Sequence, residues 1–263
     1  MQVTTILAFF FSLVVQVGFP LSVVLYFRRR TLAHWAPFFM GALVYVIFQL
    51  FTWLPLSTYL EAVAGAGLQE GFGAFAWLLA MAFVGSLLEE TGRLWGYRVL
   101  FSRTGEGLTW PSGVMLGLGH AAVESMLLIG GLTFVHLLAY VALNLLGPEA
   151  IITSVTADAT PAFREALQAI ADTTWAQPVV VAFERIVGLV HQVAWALLVM
   201  QSLVSRQKRW FSFSVLYHAS VAVIVPGLVR LSGFPLAEAA NALLAGLSIW
   251  IIVSLKKTAA APE

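Results

Sequence analysis

The stretch FAWLLAMAFVGSLLEETGRLWGY, residues 75–97, decides the fold class of this chain. A long apolar run leads directly into two adjacent carboxylates, Glu89 and Glu90, and then into Arg93. The run has the length and polarity of a membrane-spanning helix. A charge at the bilayer centre costs about 2.5–3.5 kcal/mol on insertion scales, so two acids in such a helix need partners or a function. Arg93 is one partner, because it follows the two acids by four and three residues on the same helix face.

The composition of the whole chain is that of a membrane protein. Its 263 residues are 60% hydrophobic and 10% charged, with a mean hydropathy of +0.90. A soluble domain of this size needs more polar surface, so we expect an integral, multi-pass membrane protein. The net charge of +1 gives no reason to expect nucleic acid as a partner. The absence of cysteine excludes disulfides, thiolate catalysis and cysteine-ligated metals.

Apolar runs and basic clusters together predict an all-α bundle of about seven transmembrane helices. Basic clusters after the first, third, fifth and seventh runs mark cytoplasmic ends by the positive-inside rule. The N-terminus is therefore expected outside and the C-terminus inside. The predicted spans are residues 2–27, 35–56, 72–94, 112 to about 133, 179–204, 211–229 and 236–255.

We expect one membrane domain over residues 1–263, with a four-span core at about 72–229, accessory spans within 1–56 and 236–255, and an external loop at 147–178. The segment 112–146 has no Lys or Arg, so it fits one kinked span or two short ones broken at Gly130-Gly131. The loop after it is acidic, which favours an external position and hence one crossing, with 134–146 as an extension or interfacial helix. A short surface helix is predicted at 161–173, since proline suits a first helical turn.

Ionisable side chains recur in the three spans that follow the opening stretch. They are His120 and Glu124 in the fourth span, Glu184, Arg185 and His191 in the fifth, and His218 in the sixth. Bundles usually form their structural hydrogen bonds with Ser, Thr, Asn or Gln, which cost less to bury. The concentration of ionisable side chains in these spans therefore predicts a polar cavity among spans three to six, open towards the cytoplasmic half. Gly113, Gly117 and Gly119 in the fourth span permit close helix approach.

Such a cavity suits hydrolysis by an activated water. The chain has no cysteine and no GxSxG motif, so water is the simplest nucleophile, with Glu89 or Glu90 accepting its proton and histidines stabilising an oxyanion. Alternatively, a divalent metal such as zinc activates the water. Its ligands would be drawn from Glu90, His120, His191 and His218, although no HExxH motif is present. Both versions predict hydrolysis of an amide within the membrane.

These residues resemble the YhfC family of intramembrane proteases. The resemblance lies in EETGR at 89–93, His120 with Glu124, Glu184-Arg185 with His191, and then His218, and it covers about 72–229. Relatives include the CPBP (CAAX-processing and bacteriocin-processing) proteases, the PrsW proteases and the Aph scaffold subunit of gamma-secretase. The resemblance implies catalytic roles for Glu89, Glu90, His120, His191 and His218. It implies supporting roles for Arg93, Glu124, Glu184 and Arg185.

The chain departs from the CPBP motifs at three points. The basic residue of the first motif comes one position sooner, and Leu116 replaces the aromatic residue that precedes the histidine of the second motif. In the third motif a histidine is followed four residues later by Asn or Asp. Here Ala222 follows His218 and Trp195 follows His191, so the resemblance does not identify the partner of the oxyanion.

The resemblance implies an intramembrane endopeptidase of glutamic type, with a metal-dependent version left open. Its substrate would be a membrane protein or lipidated peptide in the lipid bilayer. One alternative is a non-catalytic scaffold or immunity factor, because the Aph subunit has the same seven-span plan with buried histidines. Another is a proton- or cation-coupled transporter, since acids and histidines also form proton relays. The doubled glutamate favours the enzyme, and no feature of the sequence indicates an oligomeric state.

Overall fold

The computed structural model describes residues 2–68, 71–104, 107–155 and 160–259, and every regular element in these ranges is helical. The helices are α1 (Val3–Thr31), α2 (Ala36–Val63), α3 (Gly71–Thr104), α4 (Trp110–Leu146), α5 (Pro148–Val155), α6 (Pro161–Ala171), α7 (Ala176–Val204), α8 (Lys208–Ser232) and α9 (Phe234–Ala259). Seven of them, α1–α4 and α7–α9, are long and apolar enough to cross a membrane. The predicted all-α, seven-span fold is confirmed, while the orientation of its ends stays a prediction.

Two of the spans contain π-helical turns. The segment Tyr45–Trp53 is π-helical within α2, and Glu124–Ile129 is π-helical within α4. Such turns insert an extra residue per turn and are frequent at functional sites. The long segment that the sequence left as one span or two is a single 37-residue helical run. The chain therefore accommodates the Gly130-Gly131 region by a π-helical turn that ends just before it, and not by a break.

The surface helix predicted between the fourth and fifth spans is α6. Thr160 caps its N-terminus, because the side-chain oxygen accepts a hydrogen bond from the Phe163 amide at 3.2 Å. Pro161 occupies the first helical position, where no amide hydrogen is needed. A second short helix, α5, precedes it and was not predicted.

The chain divides into two compact units, and the first comprises Met1–Leu21 and Glu124–Ile186. Its core contains Phe9, Leu137 and Tyr140. A buried amide, Gln16, donates hydrogen bonds to Ser12 at 2.9 Å and to Thr133 at 3.0 Å, and so ties α1 to α4. This is the low-cost type of polar contact that membrane bundles commonly use.

The second unit comprises Ser22–Val123 and Val187–Glu263. In it, glycines bring α4 close to its neighbours. A Cβ added at Gly41 or Gly119 would lie 1.9 Å from a backbone carbonyl oxygen across the α2–α4 contact, and one at Gly117 would lie 2.6 Å from the Cα of Val193 in α7. The predicted role of the α4 glycines in close packing is thus confirmed.

Candidate catalytic and metal-binding site

The Glu89-Glu90-Arg93 group of α3 is buried in the second unit. Glu89 is 5% exposed, and Glu90 and Arg93 are 0% exposed. The Arg93 guanidinium donates to one oxygen of each glutamate and to the side-chain oxygen of Gln192 in α7. One turn of helix therefore brings two anions and one cation together, as the spacing predicted, and a third acceptor comes from another span.

Both carboxylate oxygens of Glu90 are engaged by protein donors. Its Oε1 accepts from Arg93 and from Nδ1 of His218, the latter at 2.9 Å. Its Oε2 accepts from the Ser214 hydroxyl at 2.9 Å. An ionised carboxylate only accepts hydrogen bonds, so the Nδ1 of His218 donates to Glu90; in a neutral imidazole with this tautomer, Nε2 carries the lone pair.

Glu89 is less fully engaged. Its Oε1 accepts from Arg93 and lies 3.1 Å from Nε2 of His120, but the latter contact lacks the alignment of a hydrogen bond. Its Oε2 lies 4.0 Å from Nε2 of His218. Among the described residues, neither this Oε2 nor either ring nitrogen of His120 takes part in a hydrogen bond, although His120 is fully buried. We call Glu89, Glu90, Arg93, His120 and His218 the carboxylate–histidine cluster.

His191 is held by the last span and not by the carboxylates. Its Nδ1 lies 2.8 Å from the Ser248 hydroxyl and its Nε2 lies 3.2 Å from Oδ1 of Asn241, both in α9. Its ring stacks on Trp195 at 5.5 Å, and Trp195 stacks on His218 at 3.8 Å, each pair with an interplanar angle of 13°. Trp195 thus stacks with both histidines, and we call these three rings the ring stack.

Three of the predicted supporting residues belong to the first unit. Arg185 donates to Glu124 at 2.9 Å, and both side chains are partly exposed. Glu184 is next to Arg185 in α7 and is half-buried. The structure therefore brings together Glu89, Glu90, Arg93, His120 and His218, and it joins Glu124 to Arg185 as a separate ion pair.

Several polar residues of the site were not identified from the sequence as functional. They are Gln192, Trp195, Ser214, Asn241 and Ser248. The sequence contained two signals for these residues. Ser214 precedes His218 by one helical turn, and Asn241 precedes Ser248 by two turns, so each pair lies on one helix face. Which helix such a face meets could not be inferred from spacing.

The donor set of the cluster fits a divalent cation. Ligand atoms of Glu89, Glu90 and His218 all lie within 4.8 Å of one another. Carboxylate oxygen and neutral imidazole nitrogen are the donors that zinc takes when thiolates are absent. A buried polar group without a hydrogen bond costs about 1–3 kcal/mol. Neither ring nitrogen of His120 has one in the described structure, so both are available to a bound ligand.

Comparison with known proteins places the chain within a described family. The family model named YhfC intramembrane metalloprotease matches residues 11–237, a range that contains the whole carboxylate–histidine cluster and ends before Asn241. The chain is 27% identical over 248 residues to Uncharacterized membrane protein YhfC of Bacillus subtilis (strain 168), which covers 90% of this chain and 91% of that protein. No solved structure matches the chain.

Proposed function

The chain belongs to the YhfC intramembrane metalloprotease family, and we propose that it is an endopeptidase that hydrolyses a peptide bond of a membrane protein or membrane-proximal peptide. The observation that carries this proposal is the unequal pairing of the two adjacent glutamates. Both oxygens of Glu90 accept hydrogen bonds, which come from Arg93, His218 and Ser214. Glu89 keeps one oxygen free of protein hydrogen bonds among the described residues, and this oxygen lies 4.0 Å from Nε2 of His218.

The groups that would hold a divalent cation such as zinc are the Glu90 carboxylate, a ring nitrogen of His120 and Nε2 of His218. Oε2 of Glu89 then stays available to accept a proton. When bound, such an ion would lower the pKa of a water and polarise the scissile carbonyl. The Glu90–His218 hydrogen bond, 2.9 Å long, is the carboxylate–histidine pairing that commonly orients a metal-binding imidazole. In a purely glutamic mechanism the donor to an oxyanion would be His120, because Nδ1 of His218 is already bonded to Glu90.

Within this proposal, Oε2 of Glu89 accepts a proton from the attacking water. The water oxygen bonds to the carbonyl carbon of the substrate, the carbon–nitrogen bond breaks, and Glu89 returns the proton to the leaving amine. Arg93 binds the other oxygen of Glu89, so the carboxylate is held in one orientation. Arg93 also balances part of the negative charge of the adjacent acids, which lets both stay buried.

The incomplete pairing inside the carboxylate–histidine cluster favours an enzyme over a non-catalytic scaffold. Buried ionisable groups in a structural network are stabilised when every partner is present. Both oxygens of Glu90 meet that condition, but Nε of Arg93 and both ring nitrogens of His120 are buried with no hydrogen bond in the described structure. The transporter alternative gains no specific support from these contacts.

The test is a mass-spectrometric inventory of peptides released from membranes of cells that express the wild type, Glu89→Gln or Glu61→Gln. Glu61 is a matched control, because it is an exposed carboxylate bonded to Trp77 at 2.6 Å and is not part of the cluster. We expect a set of peptides that the wild type and Glu61→Gln release and Glu89→Gln does not. Equal release by Glu89→Gln, or no release by a well-expressed wild type, would overturn the proposal.

A further inference from the structure

We propose that Trp195 is a positioning residue that sets the plane of the His218 ring, and that α9 holds Trp195 in place through His191. This inference rests on the proposed function, because His218 acts there as a ligand-binding group. It assigns a role in the site to the last span, which the sequence placed outside the four-span core.

Trp195 is in direct contact with the ring of His218. Their ring centroids are 3.8 Å apart with an interplanar angle of 13°, so the rings are in face-to-face contact. Trp195 is only 5% exposed. A buried indole with this contact restricts rotation of the imidazole about its side-chain bonds, because a tilted ring would overlap the indole face.

The hydrogen bond from His218 to Glu90 does not fix the plane of the imidazole ring by itself. The Nδ1–Oε1 contact of 2.9 Å fixes one atom of the His218 ring and leaves rotation about that contact open. The stack removes that freedom. Together the two contacts direct Nε2 towards Glu89, whose Oε2 is 4.0 Å away. Ser214 joins the same arrangement, because its hydroxyl lies 2.9 Å from Glu90 and 3.2 Å from the carbonyl oxygen of Trp195.

Trp195 is itself supported by His191, which is bonded to α9. His191 stacks on Trp195 with the same 13° angle, and both ring nitrogens of His191 are taken by side chains of α9. The Tyr217 hydroxyl bonds to Ser248 at 2.8 Å and to the carbonyl oxygen of Leu244 at 2.7 Å, so the anchor includes α8 and the α9 backbone. With no nitrogen left for another partner, His191 serves as a support and not as a ligand.

The proposal predicts that loss of the stack weakens metal binding while loss of the indole N–H does not. Residues that orient a metal-binding histidine typically change affinity by about 10–100-fold when mutated. In Trp195→Phe an aromatic face remains against His218, and in Trp195→Leu it is lost. Trp250→Leu is a matched control, because Trp250 lies in α9 and is 64% exposed.

The experiment is a Zn²⁺ titration of the purified full-length protein in detergent, with the absorption spectrum of the Co²⁺-loaded protein as a second readout of ligand geometry. We expect Trp195→Phe and Trp250→Leu to bind Zn²⁺ like the wild type. We expect Trp195→Leu to bind about 10–100-fold more weakly and to show an altered Co²⁺ spectrum. If Trp195→Leu does not fold, Asn241→Leu takes its place, since it removes one anchor of His191, and a weaker shift in the same direction is expected.

The outcomes separate the two proposals. Binding by Trp195→Leu equal to that of the wild type would refute the positioning role alone. An equal loss in Trp195→Phe and Trp195→Leu would also refute it and assign the effect to the indole N–H. A folded wild type that binds no Zn²⁺ would refute the metal site itself, and this inference with it.

Discussion

Replacement of Arg93 by methionine tests whether the guanidinium is what permits two adjacent acids in the core of a membrane bundle. The side chain is 0% exposed and donates to Glu89, Glu90 and Gln192. Methionine keeps much of the volume and removes the charge. Both carboxylates then lose their buried cation, and removal of one partner from a buried pair costs about 3–5 kcal/mol. Since about 1.4 kcal/mol is a factor of ten, we expect the equilibrium constant of unfolding to rise by roughly a hundred- to several-thousand-fold.

The measurement is equilibrium unfolding by sodium dodecyl sulfate in mixed micelles, followed by tryptophan fluorescence. Arg230→Met is the control, because that arginine is exposed near the end of α8, and we expect little change. Addition of Glu89→Gln and Glu90→Gln to Arg93→Met is expected to restore much of the stability, since the buried charges are then removed together. An Arg93→Met protein as stable as the wild type, or a triple variant no more stable than the single one, would refute this reasoning.

Two further predictions concern packing and orientation. Gly119→Ala places a Cβ 1.9 Å from the Phe38 carbonyl oxygen, so we expect a loss of about 1–3 kcal/mol or more; Gly246→Ala, which meets nothing within 4 Å, is expected to retain wild-type stability in the same unfolding assay. The chain has no cysteine, so single cysteines can report sidedness directly. A membrane-impermeant maleimide applied to intact cells is expected to label Thr160→Cys and not Gln207→Cys, and the reverse pattern would show that the predicted orientation is inverted.

The spans could be predicted because they depend on local sequence properties. Hydropathy located all seven, and the helical spacing of Arg93 from its two acids placed all three side chains together before any tertiary contact was considered. The helix ends were less accurate. Hydropathy falls at Arg28, but α1 continues to Thr31, since a helix continues through charged residues that reach water at its end.

The partners of residues on different spans could not be predicted, because they depend on how each helix is rotated about its axis. His191 is an ionisable residue at the helical spacing expected of a site residue. Its ring nitrogens nevertheless contact Ser248 and Asn241, which lie outside the predicted four-span core. Glu124 and Arg185 were both assigned to the site, and they form an ion pair with each other. The catalytic and supporting roles of all these residues remain predictions.

The most direct test of the central claim is incorporation of heavy oxygen from water into released peptides. Purified wild type and Glu89→Gln protein would each be incubated with isolated membranes in oxygen-18 water, and the new carboxyl termini analysed by mass spectrometry. We expect labelled termini with the wild type and none with Glu89→Gln, because the bond is opened by a water whose proton Glu89 accepts. Labelled termini at equal yield from Glu89→Gln, or none from folded, metal-loaded wild type, would contradict it.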